Sequence, residues 1–185
     1  MILRAFICIE IPREQKSILG KWLDARRRDV PGVRWVRPET LHITLKFCGE
    51  IQEDMAEGMA RHLASVKQKG SFDLSIRGIG AFPLLTAPRT VYSGVVGDIK
   101  RLKEVRCDVE TAALRVGLDR DTRSYNPHIT LGRRNSNEKF PEEHKRIIED
   151  NPIQIEPWRV ETITLMKSDL FPEGPQYTPL GVFKI

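Results

Sequence analysis

The sequence predicts an α+β fold, in which two pseudo-symmetric lobes of mainly antiparallel sheet, with helices outside, surround a central cleft. The order strand, helix, loop and His-Ile-Thr-Leu strand occurs twice, and the histidines of the two tetrapeptides, His42 and His128, lie 86 residues apart. Short strands mixed with helices and hairpin-length connections are typical of antiparallel α+β proteins. A chain of 185 residues has the length of one domain, so residues 1–185 are expected to form a single bilobal unit.

In the first half, strands are predicted where β-branched and aromatic residues cluster, and helices where apolar residues recur every three or four positions. Proline and glycine mark the boundaries. The predicted segments are a strand at Ile2–Ile11, a helix from there to about Arg28, a short extended piece at Arg34–Arg37, a strand at Leu41–Cys48 and a helix at Glu53–Lys69.

The second half follows the same rules, and Asp98 is predicted to cap its first helix. The predicted segments are strands at Phe72–Ile79 and Thr90–Val96, a loop at Gly80–Pro88 between them, a helix from Asp98 to about Gly117, a polar loop at Asp119–Asn126, a strand at His128–Arg133, a short helix at Pro141–Glu149 and late strands at Arg159–Lys167 and Thr178–Ile185.

The repeated tetrapeptide places an imidazole and a hydroxyl on the same face of each strand. Residues two apart in a strand point the same way, so His42 projects with Thr44, and His128 with Thr130. The isoleucine and leucine between them point to the opposite face, where they are expected to pack against helices. Two lobes would therefore present two equivalent polar pairs.

Two imidazoles across a cleft suit acid–base catalysis of phosphodiester chemistry. Histidine titrates near neutral pH, so one ring can accept a proton while the other donates one, without a metal or cofactor. The attacking and leaving oxygens lie on opposite sides of phosphorus, which requires the two groups to act from opposite sides. The threonine hydroxyls are expected to hold the phosphate between them.

Two cations follow the motifs. Arg133 is suited to binding phosphate, but strict alternation turns it away from His128 unless Gly132 permits a bulge. Lys46 has the parity to join His42, and is a candidate substrate contact whose side chain alternatively reaches solvent.

The composition argues against a membrane protein, a disulfide-rich protein and a zinc protein. No apolar run reaches the roughly 18 residues that span a bilayer, so no membrane association is expected. Three cysteines without paired spacing favour a reducing cytoplasm over a disulfide framework. A zinc site is disfavoured because the motifs supply two imidazoles and no third ligand at suitable spacing. The net charge of +5 suits a polyanionic partner.

The sequence resembles a known family. The stretches that carry the resemblance are RAFICIEIP, LHITLKFCGE, RGIGAFP and NPHITLGR, whose order and spacing are similar to those of the bacterial and archaeal RNA 2′,3′-cyclic phosphodiesterases, also called 2′-5′ RNA ligases, of the two-histidine phosphoesterase superfamily. The resemblance covers nearly the whole chain. It implies metal-independent hydrolysis of an RNA 2′,3′-cyclic phosphate end to a 2′-phosphomonoester, and 2′-5′ ligation when an RNA 5′-hydroxyl replaces water.

On the family's pattern, His42 is the proton donor and His128 the proton acceptor, while Thr44, Thr130 and Arg133 bind phosphate. The remaining candidate substrate contacts come from the residues themselves: the bases and backbone of RNA are expected to meet aromatic and cationic side chains. These candidates are Trp35, Tyr125 and Arg123, with packing or loop anchoring as the alternative for the two aromatic residues.

Two other functions are open. One is a phosphodiesterase of a small cyclic nucleotide, such as ADP-ribose cyclic phosphate. The other is a non-catalytic module that binds RNA ends, which the two intact His-x-Thr motifs disfavour. The expected substrate includes tRNA fragments, and nothing in the sequence requires more than a monomer.

Overall fold

The computed structural model of the protein describes residues 1–66, 68–136 and 138–185. Within these residues the chain forms nine strands, four α-helices and one 3₁₀ turn. In chain order they are β1 (Ile2–Glu10), α1 (Arg13–Asp29), β2 (Arg34–Trp35), the 3₁₀ turn (Pro38–Thr40), β3 (His42–Gln52), α2 (Glu53–Ala64), β4 (Phe72–Phe82), β5 (Thr90–Gly97), α3 (Ile99–Arg115), β6 (His128–Arg133), α4 (Glu142–Glu149), β7 (Gln154–Val160), β8 (Thr162–Phe171) and β9 (Gly174–Lys184).

The strands form one curled antiparallel sheet, a half-barrel, in the order β7-β4-β5-β6-β3-β1-β8-β9, with β2 added beside β6. The two motif strands, β3 and β6, are neighbours at its centre. Outward from this junction, β6 is followed by β5 and β3 by β1, which are the strands that precede α3 and α1 in the chain. The α+β class and the pseudo-symmetric arrangement are therefore confirmed.

The two faces of the sheet have different surroundings. One face packs against the helices in a large apolar core, to which the motif strands contribute Ile43, Leu45, Ile129 and Leu131, each at most 2% exposed. The other face is concave and carries a small apolar cluster of Phe6, Cys8 and Met166. Side chains alternate between the two faces along each strand. Since the motif isoleucines face the helices, the motif histidines and threonines face the concave side.

Several boundaries differ from the sequence prediction. β4 continues to Phe82 because its second half pairs with β5 across the glycines that suggested a loop. The predicted strand Arg159–Lys167 is divided at Glu161 between β7 and β8, which lie at different places in the sheet. The helix predicted to reach Lys69 ends at Ala64, and Lys67 lies outside the described residues. Asp98 caps α3 as predicted, accepting a hydrogen bond from the Arg101 amide at 3.0 Å.

None of the helices in the described part of the chain has the length and apolar character needed to cross a membrane.

Candidate active site

The two tetrapeptides meet where β3 and β6 pair. Ile43 and Ile129 are directly opposite each other in the antiparallel register. This register sets His42 opposite Thr130 and Thr44 opposite His128, so the two imidazoles occupy diagonal corners of a four-residue square. Both isoleucines are fully buried on the helical side, and the four polar residues lie on the concave side.

The two imidazoles are held in the same way. Nδ1 of His42 lies 2.7 Å from the Thr40 carbonyl oxygen, and Nδ1 of His128 lies 2.7 Å from the Asn126 carbonyl oxygen. A carbonyl has no proton to give, so Nδ1 carries the hydrogen and donates it in both rings. Nε2 is consequently the nitrogen that each ring has free for proton transfer.

Each imidazole also contacts a pair of aromatic rings. His42 lies 4.8 Å from Phe6 and 5.4 Å from Tyr177 between ring centroids. His128 lies 5.2 Å from Phe82 and 5.4 Å from Tyr92. These contacts restrict rotation of the rings about their side-chain bonds, and thus complete the orientation that the carbonyl hydrogen bonds begin.

The RGIGAFP stretch supports the second aromatic pair. The rings of Phe82 and Tyr92 stack at 4.3 Å. A Cβ at Gly80 would lie 2.5 Å from the Tyr92 ring, so the absence of a side chain there lets that ring lie close against β4.

A β-bulge follows each His-x-Thr pair. In β3, Thr44 pairs with Cys8 and Lys46 with Ile7, so Leu45 is the extra residue. In β6, Thr130 pairs with Tyr92 and Gly132 with Val91, so Leu131 is extra. A bulge of one residue reverses the alternation that follows it.

The bulges determine the faces to which Arg133 and Lys46 point, which the sequence left open. Arg133 is turned into the cleft with Thr130, and the bulged residue responsible is Leu131 rather than Gly132. Lys46 is turned away from the cleft to the helical side, where it is 7% exposed and pairs with Glu110. The expectation that Lys46 shares the face of His42 is therefore wrong, because the sequence pattern does not reveal the bulge at Leu45.

The concave face forms a cleft of about 520 Å³. Its lining includes His42, Thr44, Thr130 and Arg133, together with Phe47 and Trp35, whereas His128 is not among the lining residues. Cationic side chains predominate around it: the arginines in the lining are Arg4, Arg34, Arg37 and Arg133, against the single carboxylate of Glu173. The electrostatics of the cleft thus favour an anion.

Burial lowers the pKa of His42 to about 4. This value already includes the like charges of Lys16, His128 and Arg133, which also lower the pKa, and the hydrogen bond to the Thr40 carbonyl, which raises it. His42 is therefore neutral at pH 7 in this structure. An anion bound beside it would favour the imidazolium and raise this pKa.

Similar proteins are found by both sequence and structure. The 2′-5′ RNA ligase superfamily matches residues 17–170. The chain belongs to the 2′-5′ RNA ligase superfamily. An RNA 2′,3′-cyclic phosphodiesterase of Methanothermobacter thermautotrophicus is 30% identical over the full length of both chains. One from Aeropyrum pernix is 33% identical over 80% of this chain and 84% of its own.

Among solved structures, Escherichia coli LigT complexed with 3′-AMP aligns with a TM-score of 0.80 over 100% of this chain and 99% of its own, at 24% identity. At this identity the likeness establishes the fold alone. The curled half-barrel is therefore a fold that this chain shares with LigT.

The other residues singled out in the sequence lie in different places within this superfamily fold. Trp35 lines the cleft but is 7% exposed, and its Nε1 donates to the Val30 carbonyl at 3.2 Å. Tyr125 is outside the cleft lining and donates its hydroxyl to the Thr44 carbonyl at 3.1 Å. Arg123 is exposed and pairs with Asp121 at 3.2 Å. The position of Tyr125 therefore agrees with loop anchoring, the alternative to a substrate contact.

Phe47, Tyr177 and Arg4 are among the cleft residues that sequence reasoning missed. Phe47 is 60% exposed within the lining, because the Leu45 bulge turns it inward. Tyr177 comes from β9, which the strand pattern does not link to the motifs. Arg4 reaches the cleft from β1. It is two residues before Phe6 in the strand, so strict alternation puts both side chains on the same, concave face.

Proposed function

We propose that the protein hydrolyses 2′,3′-cyclic phosphodiester ends of RNA to 2′-phosphomonoesters, using two histidines and no metal. The observation that carries this proposal is the diagonal pair of imidazoles, each holding Nδ1–H on a backbone carbonyl and leaving Nε2 free beside a threonine. Membership of the superfamily, and relatives named RNA 2′,3′-cyclic phosphodiesterase, support the same reaction.

In the proposed reaction, water attacks phosphorus and the bond from phosphorus to the ribose 3′ oxygen breaks. His128 takes the proton from water, and His42 gives a proton to the departing 3′ oxygen. Thr44, Thr130 and Arg133 bind the phosphate oxygens, and the cation of Arg133 stabilises charge that grows on them. An RNA 5′-hydroxyl in place of water gives a 2′-5′ linkage by the same bond changes.

His42 must be protonated for this role although its pKa in this structure is about 4. The negative phosphate supplies the missing counter-charge next to His42. Substrate binding therefore raises the pKa of the acid, and the imidazolium forms when it is needed. Titration of the His42 ring by NMR, with and without inorganic phosphate, tests this step: an unchanged pKa would contradict it.

RNA is favoured over a small cyclic nucleotide by the charge around the cleft. Arg4, Arg34 and Arg133 have no ion-pair partner in the part of the chain that the structure describes, and all three line the cleft. Arg34 pairs with Arg133 in the register of β2 and β6, so the two cations lie side by side. Unpaired cations beyond the reacting phosphate suit the further phosphates of a polynucleotide.

We further propose that the protein is a monomer, that it acts in the cytoplasm, and that tRNA fragments are among its substrates. Support comes from the three free cysteines and from a cleft built by residues of one chain. A sedimentation measurement that gives a dimer at low micromolar concentration would contradict the monomer.

The decisive experiment is an assay with an RNA oligonucleotide ending in a 2′,3′-cyclic phosphate, in the presence of EDTA. We expect turnover to a 2′-phosphate, and losses of at least about 10³-fold in His42→Ala and His128→Ala, given what acid–base groups contribute. His62→Ala, in α2, is the matched control and should keep full activity.

Four outcomes would count against the proposal. Full activity in either motif variant would remove the acid–base assignment, and activity restored only by added zinc would indicate metal chemistry. Faster turnover of ADP-ribose cyclic phosphate than of RNA would favour the small-nucleotide alternative. Binding without turnover would indicate an RNA-end binding module.

A further inference from the structure

A buried ion pair lies on the helical side of the sheet, directly behind the cleft. Nζ of Lys46 donates to Oε2 of Glu110 in α3 at 3.0 Å, and to the Asp119 carbonyl at 2.8 Å. Both charged side chains are 5% exposed. Burying two charges costs about as much free energy as their attraction returns, so a role beyond stability is a reasonable expectation for such a pair.

The pair attaches the loop that leads into β6. Besides Lys46, Oε2 of Glu110 accepts from the backbone amide of Asp121 at 3.3 Å, and Lys46 holds the carbonyl of Asp119. One turn earlier in α3, Arg106 lies 3.4 Å from Glu110 and 3.8 Å from Asp121. The start of the loop is thus joined to β3 and α3 by charged groups on both sides.

The end of the same loop is held by Tyr125. Its hydroxyl donates to the carbonyl of Thr44 at 3.1 Å, and Arg106 lies over its ring, 4.6 Å from the centroid. The next residue, Asn126, supplies the carbonyl that accepts from Nδ1 of His128. A continuous set of contacts therefore runs from the first motif strand through Tyr125 to the imidazole of the second.

The corresponding carbonyl for His42 needs no such support. Thr40 belongs to a 3₁₀ turn that closes itself, with the Thr40 amide donating to Arg37 at 3.0 Å and the Leu41 amide to Pro38 at 3.2 Å. The segment before His128 has no helix or strand from Leu118 to Pro127. Its carbonyl must be fixed by contacts from elsewhere in the fold.

We propose that Lys46, Glu110 and Tyr125 are positioning residues that fix the Asp119–Asn126 loop and thereby orient His128. They touch neither the substrate nor the reacting atoms, and act through the Asn126 carbonyl. The expected effect on turnover rests on the proposed function, whereas the orientation of His128 can be measured without it.

The variants separate positioning from stability. Glu110→Leu leaves the buried ammonium of Lys46 without a carboxylate, and Lys46→Met leaves the buried carboxylate of Glu110 with Arg106 as its remaining partner. Both changes should lower the melting temperature and kcat. The double variant removes both charges and should recover most of the melting temperature. It still lacks the bonds to Asp119 and Asp121, so we expect kcat to stay roughly 10- to 100-fold below the wild type, the scale of a misplaced catalytic group, with KM changed less than threefold.

Tyr125→Phe isolates the hydroxyl, since the ring and its contact with Arg106 remain. We expect about a tenfold loss of kcat with little change in melting temperature. Lys69→Met is the matched control, because Lys69 also pairs with α3, through Asp108 at 2.8 Å, but at a more exposed site. It should behave as the wild type.

The readout that does not need turnover is the ¹⁵N-edited NMR spectrum of the His128 ring. In the wild type the Nδ1 proton should be hydrogen-bonded and slow to exchange; in Tyr125→Phe and in the double variant it should exchange faster. Wild-type kcat in the double variant once its melting temperature is restored, or an unchanged Nδ1 proton, would overturn the proposal. If the NMR changes are present but neither the wild type nor any variant turns over the RNA substrate, the proposed function is wrong and the positioning of His128 stands.

Discussion

The two halves of the sheet share the backbone arrangement that holds the motif histidines, and differ in the side chains that they add to it. Over the six residues that begin at each motif histidine, the sequence of partly buried, buried and exposed positions is identical. Each half repeats the carbonyl bond to Nδ1, the pair of aromatic rings and the bulge at the leucine. The elements that the proposed proton transfer requires are thus the ones that the two halves have in common.

The differences begin immediately after the bulge. The first residue turned to the helical side is Lys46 in one half and Gly132 in the other, and the first turned to the cleft is Phe47 or Arg133. One half therefore offers an exposed ring to the substrate and the other a cation. A symmetric backbone with unequal side chains at equivalent places lets one cleft bind an asymmetric ligand.

The largest effect within this comparison is expected for Arg133→Met. Removing the cation that faces the phosphate should lower kcat by roughly 10²-fold, as the loss of a charge-stabilising donor does elsewhere. The matched variant, Phe47→Leu, removes the ring at the equivalent place and should raise KM a few-fold with kcat nearly unchanged. Steady-state kinetics on the cyclic-phosphate oligonucleotide gives both constants. Equal effects of the two variants on kcat would show that the halves do not divide the work in this way.

The second prediction concerns the half that contains His42, the acid of the proposed reaction, and its dependence on pH. The pKa of His42 is about 4 in the folded protein and about 6.5 in an unfolded chain. Between these values the unfolded state binds the extra proton, so the free energy of unfolding falls as pH drops from about 6.5 to about 4, and is level above. The loss from this group is at most about 3 kcal/mol.

Urea unfolding at a series of pH values measures this slope. His42→Gln cannot titrate, so its unfolding free energy should depend less on pH across that window, while the carboxylates contribute equally to both proteins. Identical slopes in the two proteins would contradict the low pKa. Inorganic phosphate should reduce the slope in the wild type, because an anion in the cleft raises the pKa of His42.

The sequence was sufficient for the parts of the site that depend on strict alternation. His42 with Thr44, and His128 with Thr130, lie on the face that a period of two assigns to them, and the repeated order of elements gave the two halves of the sheet. Alternation fails beyond each leucine, since a bulge is set by pairing with the neighbouring strand and leaves no mark in the strand's own pattern. Lys46 was misplaced and Phe47 overlooked for that single reason.

The smallest effect is expected at Gly132, the counterpart of Lys46. The sequence suggested this glycine as the source of the bulge, but the bulge is at Leu131, and the structure gives Gly132 another task. A Cβ there would lie 2.6 Å from Val33 and 2.9 Å from the Trp35 ring, both of which pack over the strand. Gly132→Ala should therefore lower the free energy of unfolding by roughly 1–3 kcal/mol, the cost of overpacking, with kcat retained below the melting temperature. Replacing Val33 by alanine in the same protein frees the closest contact and should recover part of that loss. A Gly132→Ala protein that is fully stable but inactive would mean that the glycine acts on Arg133 after all, as the sequence alone suggested.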